Sequence, residues 1–80
     1  MIRIAKTSRL TTDEIIHRAS TFFGEGGEGL KQTSRQDCCV SFAGGGGHVS
    51  VFAADDKTPR TVEVESREFE SQAKRFLEAV

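Results

Sequence analysis

The fold is decided by residues 36–53, which read QDCCVSFAGGGGHVSVFA. Apolar and polar residues alternate at 36–43 and at 48–53, and four glycines separate the two stretches at 44–47. Alternation with a period of two indicates a half-buried β-strand, and a short glycine loop between two strands indicates a hairpin. We therefore predict an antiparallel hairpin in which Ala43 lies opposite His48.

This register sorts the side chains of the hairpin onto two faces. The apolar face collects Cys38, Val40, Phe42, Val49, Val51 and Ala53. The other face collects Cys39, Ser41, Ala43, His48, Ser50 and Phe52. A slip by one residue would mix the two sets, so the separation supports the register. We call the second side of the predicted sheet the open face.

Further strands extend the hairpin on either side. Residues 60–65 alternate and predict a third strand, joined to the hairpin by a polar turn at 55–59. Pairing Ala53 with Arg60 brings valines together on the apolar face (Val62 with Val51, Val64 with Val49) and adds Thr61, Glu63 and Glu65 to the open face. Residues 2–5 predict an edge strand whose neighbour stays open. Residues 30–35 either extend the first hairpin strand or lie loose.

Two amphipathic helices flank the strands. Thr11 is a good N-cap residue, Glu14 stands at the capping-box spacing, and Gly24 ends the first helix. Ser66 is predicted to cap the second helix, with Glu68 and Glu70 in its first turn. The apolar stripes are Ile15, Ile16, Ala19, Phe22 and Phe23 in the first helix, and Phe69, Ala73, Phe76, Leu77 and Val80 in the second.

Together these elements predict a single α+β domain over residues 1–80. Its antiparallel meander sheet carries two helices on one face, in a two-layer sandwich of order β-α-β-β-β-α. The order resembles a small TATA-binding-protein-like or helix-grip domain, with residues 68–77 (EFESQAKRFL) similar to the closing helix of such folds. That resemblance implies a C-terminal helix packed on a meander, and it implies no functional residue.

Composition narrows the function classes. The 80 residues carry a net charge of -1, and acidic residues gather at both predicted helix starts. Residues 11–80 have the element order of a double-stranded-RNA-binding domain, but the second helix begins SREFE, so we do not expect nucleic-acid binding. We expect no signal peptide and no membrane span, and therefore a reducing cytoplasm in which both cysteines are free thiols.

The open face is the candidate interaction surface, formed by Cys39, Ser41, His48, Ser50, Phe52, Glu63 and Glu65. With Glu65 opposite His48 and Glu63 opposite Ser50, an ion pair between His48 and Glu65 is expected. We expect a protein partner or a second copy of the chain, through the sheet face or edge, because a small core gains from association.

Catalytic and metal chemistry are weaker interpretations of the same residues. Adjacent cysteines in a strand point to opposite faces, so Cys38 is expected in the core and the pair cannot hold one metal ion. His17 is expected at the surface or boundary of the first helix. No cofactor and no catalytic site are predicted. The competing hypothesis is a thiol-based redox or small-ligand-processing enzyme that uses Cys39, His48 and Glu65.

Overall fold

The computed structural model describes residues 2–53 and 59–80, which form an α+β domain. Its elements are β1 (Ile2–Ser8), α1 (Thr12–Phe23), β2 (Lys31–Arg35), β3 (Cys39–Gly44), β4 (Gly47–Phe52), β5 (Arg60–Arg67) and α2 (Glu70–Glu78). The antiparallel meander and the two helices confirm the predicted fold class. Most of the predicted turn at 55–59 lies outside the described residues.

The sheet has five strands in the order β1-β5-β4-β3-β2. The N-terminal strand lies at an edge, as predicted, and its neighbour is β5. The opposite edge is β2, a separate strand, so residues 30–35 neither extend the first hairpin strand nor lie loose, the two alternatives left open by the sequence. It pairs with β3 through a register shift between Gln32 and Ser34, and all five of its residues are exposed. The alternation signal is weak there because neither side of β2 is buried.

The predicted register of the β3–β4 hairpin is confirmed from the Cys39–Phe52 pair to the Ala43–His48 pair. The turn is tighter than predicted, because Gly44 and Gly47 still pair and only Gly45 and Gly46 form the loop. Their φ angles are 57° and 83°. Positive φ at both loop residues suits the right-handed twist of a hairpin, and only glycine adopts it without strain.

The predicted register between β4 and β5 is wrong by two residues. Val51 pairs with Val64, and Phe52 with Glu63. The expected partners Ala53 and Arg60 instead both contact Thr12, whose hydroxyl donates to the Ala53 carbonyl and accepts from the Arg60 guanidinium, each at 2.8 Å. An even shift leaves every side chain on its predicted face, since faces alternate with a period of two.

The core lies between the helices and one side of the sheet. Among the described residues, fifteen hydrophobic ones are buried there, with partly buried residues packed around them. Phe23 is at its centre, with its ring centroid 5.7 Å from that of Phe42 on β3 and 5.3 Å from that of Phe76 on α2. These aromatic contacts join the two helices to the hairpin in a single cluster.

The helix starts show one correct and one wrong prediction. The Thr11 hydroxyl accepts the Glu14 backbone N–H at 3.1 Å, and the helix ends before Gly24, as expected. The second helix begins at Glu70 instead of directly after Ser66, because β5 continues to Arg67 and is paired on both sides. The chain reverses at Glu68, which has a φ of 75°. Within the described residues, neither helix has the length and hydropathy required to cross a membrane.

Replacing Ser66 tests whether this residue is a helix cap, as predicted from the sequence, or a buried strand residue, as in the structure. Ser66 is fully buried in β5, and its hydroxyl has no hydrogen-bond partner among the described residues. Ser66→Ala should therefore leave the free energy of unfolding unchanged or raise it by up to about 1 kcal/mol. The true cap provides the control, since Thr11→Ala should lose about 1 kcal/mol. Urea unfolding measures both, and an equal loss in the two variants would contradict the strand assignment.

Gly47 tests the close approach of β4 to the end of β5. A Cβ atom at Gly47 would lie 2.3 Å from the Arg67 carbonyl oxygen. Gly47→Ala should lower the free energy of unfolding by about 1–3 kcal/mol or more through overpacking. Gly26→Ala is the matched control, because its Cβ would meet nothing within 4 Å. Similar urea midpoints for the two variants would contradict this packing.

Candidate functional site

The open face is the side of the sheet turned away from both helices. All seven residues of the predicted interaction surface lie on it, at alternate positions of β3, β4 and β5. Their neighbours along each strand, such as Val40, Val51 and Val64, are buried beneath the helices. No described element covers the open face, so its side chains are half-buried only by one another.

Arg3 connects the face and was missed by the sequence analysis. Its Nε and Nη2 atoms donate to Glu63 Oε2 at 2.9 and 2.6 Å, and its Nη1 atom lies 3.6 Å from Glu65 Oε2. The hydrogen bond to Glu63, with the charge of that carboxylate, raises the pKa of Arg3. Alternation in β1 places the Arg3 side chain on the other side of the sheet from the side chains of Ile2 and Ile4. The missing information was that β1 pairs with β5.

Phe52 lies beside this ion pair. The Arg3 guanidinium carbon is 5.6 Å from the centroid of the Phe52 ring, which is cation–π distance. Phe52 also pairs with Glu63 on β5 and with Cys39 on β3. The one large apolar side chain of the predicted surface is therefore positioned by charged and sulfur-bearing neighbours.

His48 and Glu65 meet as expected, but along a diagonal. His48 Nε2 lies 3.7 Å from Glu65 Oε1, although His48 pairs with Arg67 and Glu65 pairs with Ser50. The diagonal is within reach of long side chains on neighbouring strands. In the same row as Glu65, the hydroxyls of Ser41 and Ser50 are 3.0 Å apart and form a cross-strand hydrogen bond.

Charge is unevenly distributed over the open face. The row at the hairpin-turn end carries Lys31, His48 and Arg67, all basic or able to become so. Toward the other end, β5 contributes the acidic residues Glu63 and Glu65. Glu65 lies in the row next to the basic row and Glu63 lies one row further, so about 13 Å along a strand separates the basic row from Glu63.

The expectation of free thiols is wrong, because Cys38 and Cys39 form a disulfide. The expected core position of Cys38 is also wrong, since both cysteines are half-buried. Strand alternation would have separated the two sulfurs, but β3 begins only at Cys39. Cys38 belongs to a tight turn in which Gln36 and Cys39 exchange backbone hydrogen bonds of 2.8 and 3.3 Å.

The three residues of the enzyme hypothesis are not brought together. Cys39 pairs with Phe52, which is four residues from His48 along β4, or about 13 Å away. His17 is exposed on α1, far from this sheet face. Among residues 2–53 and 59–80, no three His, Cys, Asp or Glu side chains are grouped as metal ligands would be.

These features define a small α+β domain with an uncovered sheet face that carries Phe52, an ion-pair network and a disulfide. Comparisons of the chain with protein-family models, curated proteins and solved structures find no match.

Phe52 should contribute little to folding, unlike a core phenylalanine. Phe52→Ala should lower the free energy of unfolding by no more than about 1 kcal/mol, because the ring is half-buried on the sheet surface. Phe42→Ala is the comparison, with about 3–5 kcal/mol expected for a side chain that is 1% exposed. Thermal and urea unfolding measure the difference, and a loss above about 2 kcal/mol for Phe52→Ala would assign the residue to the core.

Proposed function

We propose that this chain is an interaction module that associates with a second copy of itself through the open face. The observation that supports the proposal is the charge pattern of that face, where the basic row and Glu63 lie on opposite sides of the serine row and Glu65 lies within that row. A surface that contains both halves of a complementary pattern can pair with its own copy in an isologous dimer.

One symmetric arrangement pairs the basic row of each copy with the row of Glu63 in the other, and the serine row then lies on the axis, where Glu65 faces the partner's Glu65. A two-fold axis between two stacked sheets, perpendicular to the strands, places the basic row of each copy over the Phe52 row of the other. Arg67 of one copy then faces Glu63 of its partner, and Phe52 faces the partner's His48. Two sheets packed in this way lie about 10 Å apart with their side chains interdigitated.

The size of the face indicates the strength of the dimer. Five strands spaced about 4.8 Å apart, each contributing three or four residues spaced about 6.6 Å along the face, present roughly 500 Å² per copy. Two copies would bury roughly 1,000 Å², which is at the low end for specific interfaces. The association should therefore be weak and reversible, with a Kd in the micromolar range or above.

The exposed edge is a poorer contact between copies than the face. Antiparallel pairing of β2 with its own copy about Thr33 would place Lys31 opposite the partner's Arg35. Like charges directly opposite each other destabilise a strand pair. The basic ends and the bulge of β2 are features that discourage edge pairing.

A cytoplasmic location, expected from the sequence, is retained as part of this proposal. In that compartment low-molecular-weight thiols would reach the half-buried cysteine pair at the end of the open face.

Sedimentation of the protein tests the dimer. The weight-average mass should rise as the protein concentration is raised to about 1 mM. A Kd of that size corresponds to a free energy of association of about −4 kcal/mol. Arg67→Glu and Glu63→Lys should each weaken the dimer about tenfold or more by opposing like charges, and the two changes in one chain should restore much of the affinity.

Arg18→Glu is the matched control for this experiment. It makes the same charge change as Arg67→Glu at an exposed position of α1, in the helical layer. It should leave the dimerisation constant within about twofold of the original protein. A monomer throughout the concentration range, or equal weakening by Arg18→Glu and Arg67→Glu, would overturn the proposal.

A further inference from the structure

We propose that Cys38 and Cys39 form a reversible redox site that reacts with low-molecular-weight thiols and controls the turn at residues 36–39. Three observations carry this inference: the two cysteines are bonded to each other, both are half-buried within reach of small reagents, and the bond spans the junction between a turn and a strand.

The bond and the strand conformation exclude one another at Cys38. Consecutive side chains of a β-strand point to opposite faces, so two adjacent cysteines that are both extended cannot be bonded to each other. The disulfide therefore holds Cys38 outside β3, which begins at the next residue. When the bond opens, the side chain of Cys38 is free to turn to the helix-facing side, where alternation in β3 places it.

The backbone around Cys38 is already positioned for this change. Its carbonyl oxygen accepts the Ala53 backbone N–H at 2.8 Å, which is the pairing that an extended Cys38 would keep. The turn is closed on its other side by two hydrogen bonds: the Gln36 N–H donates to the Cys39 carbonyl at 2.8 Å, and the Cys39 N–H donates to the Gln36 carbonyl at 3.3 Å. Reduction should loosen the longer of these two and preserve the hydrogen bond from Ala53.

The chemical step is thiol–disulfide exchange. A small-molecule thiolate attacks one sulfur, forms a mixed disulfide and releases the other cysteine as a thiolate, which takes a proton. A second small-molecule thiolate attacks the mixed disulfide and releases the second cysteine. Two small thiols are oxidised to one small disulfide, and the protein gains two thiols. The reverse sequence restores the bridge.

The disulfide and the fold stabilise each other only weakly. A bridge between neighbouring residues closes almost no loop, so it constrains the unfolded chain very little. Reduction should therefore shift the melting temperature by only a few degrees. This separates a redox site from a disulfide that is required to hold the fold together.

The location of the pair gives it an effect on the open face. Cys39 pairs with Phe52, so the bond ties the turn residue Cys38 to the direct cross-strand neighbour of Phe52, and reduction releases it. This effect rests on the proposed dimer. The oxidised protein should associate roughly three- to tenfold more tightly than the reduced protein, because the bridge orders the turn before contact.

Thiol counting and amide exchange test the site directly. The air-oxidised native protein should show no reactive thiol, glutathione should produce two per chain without denaturant, and glutathione disulfide should remove them. On reduction the Cys39 amide should exchange faster, while the Ala53 amide stays protected. Cys38→Ser and Cys39→Ser are the controls, and neither should show a redox-dependent change in amide exchange.

Several results would overturn the inference. The first two are thiols that react before reduction and a bridge that opens only in denaturant. The others are a disulfide between two chains on a non-reducing gel and exchange of the Cys39 amide at the same rate in the oxidised and reduced states. Sedimentation of both forms separates this inference from the dimer. A monomer in both states overturns the dimer alone, and a dimer of equal affinity in both states overturns the predicted redox control of association.

Discussion

The two-glycine turn at Gly45 and Gly46 is the constraint on which the rest of the structure depends. Both residues adopt positive φ, which limits the loop to two residues and sets the partner of every position in β3 and β4. Because strand side chains alternate, that single choice of register places the valines and Phe42 against the helices. It also assigns the serines, His48 and Phe52 to the other side.

The two sides of the sheet are held by different kinds of contact. On the buried side, free energy comes from apolar contact, and Phe23 joins both helices to the hairpin through ring contacts under 6 Å. On the open face, charged and hydroxyl groups contact one another across strands while still reaching water. Arg3 is 60% exposed even while it contacts both glutamates and Phe52. Such an exposed network contributes little to the free energy of folding.

The disulfide shows how a local exception changes the chemistry of a site. Alternation correctly describes the strand from Cys39 onward, and it fails one residue earlier because a turn begins there. The same two residues would be inert, separated thiols in a continuous strand and are a bonded pair at the junction. The position of a strand end within one residue therefore decides whether the two sulfurs can be bonded to each other.

Local patterns in the sequence determined the class of the fold, the hairpin register, the cap at Thr11 and the division of side chains between two faces. Each depends on period, turn chemistry or a cap within a few residues. Only the tertiary structure decided what depends on distant partners. It paired β1 with β5 and so brought Arg3 to Glu63, and it moved the β5 register by two residues, with Ala53 and Arg60 bound to Thr12 instead of to each other. It also kept Ser66 in a strand bonded on both sides, since pairing with two neighbours outweighs the capping preference of one serine.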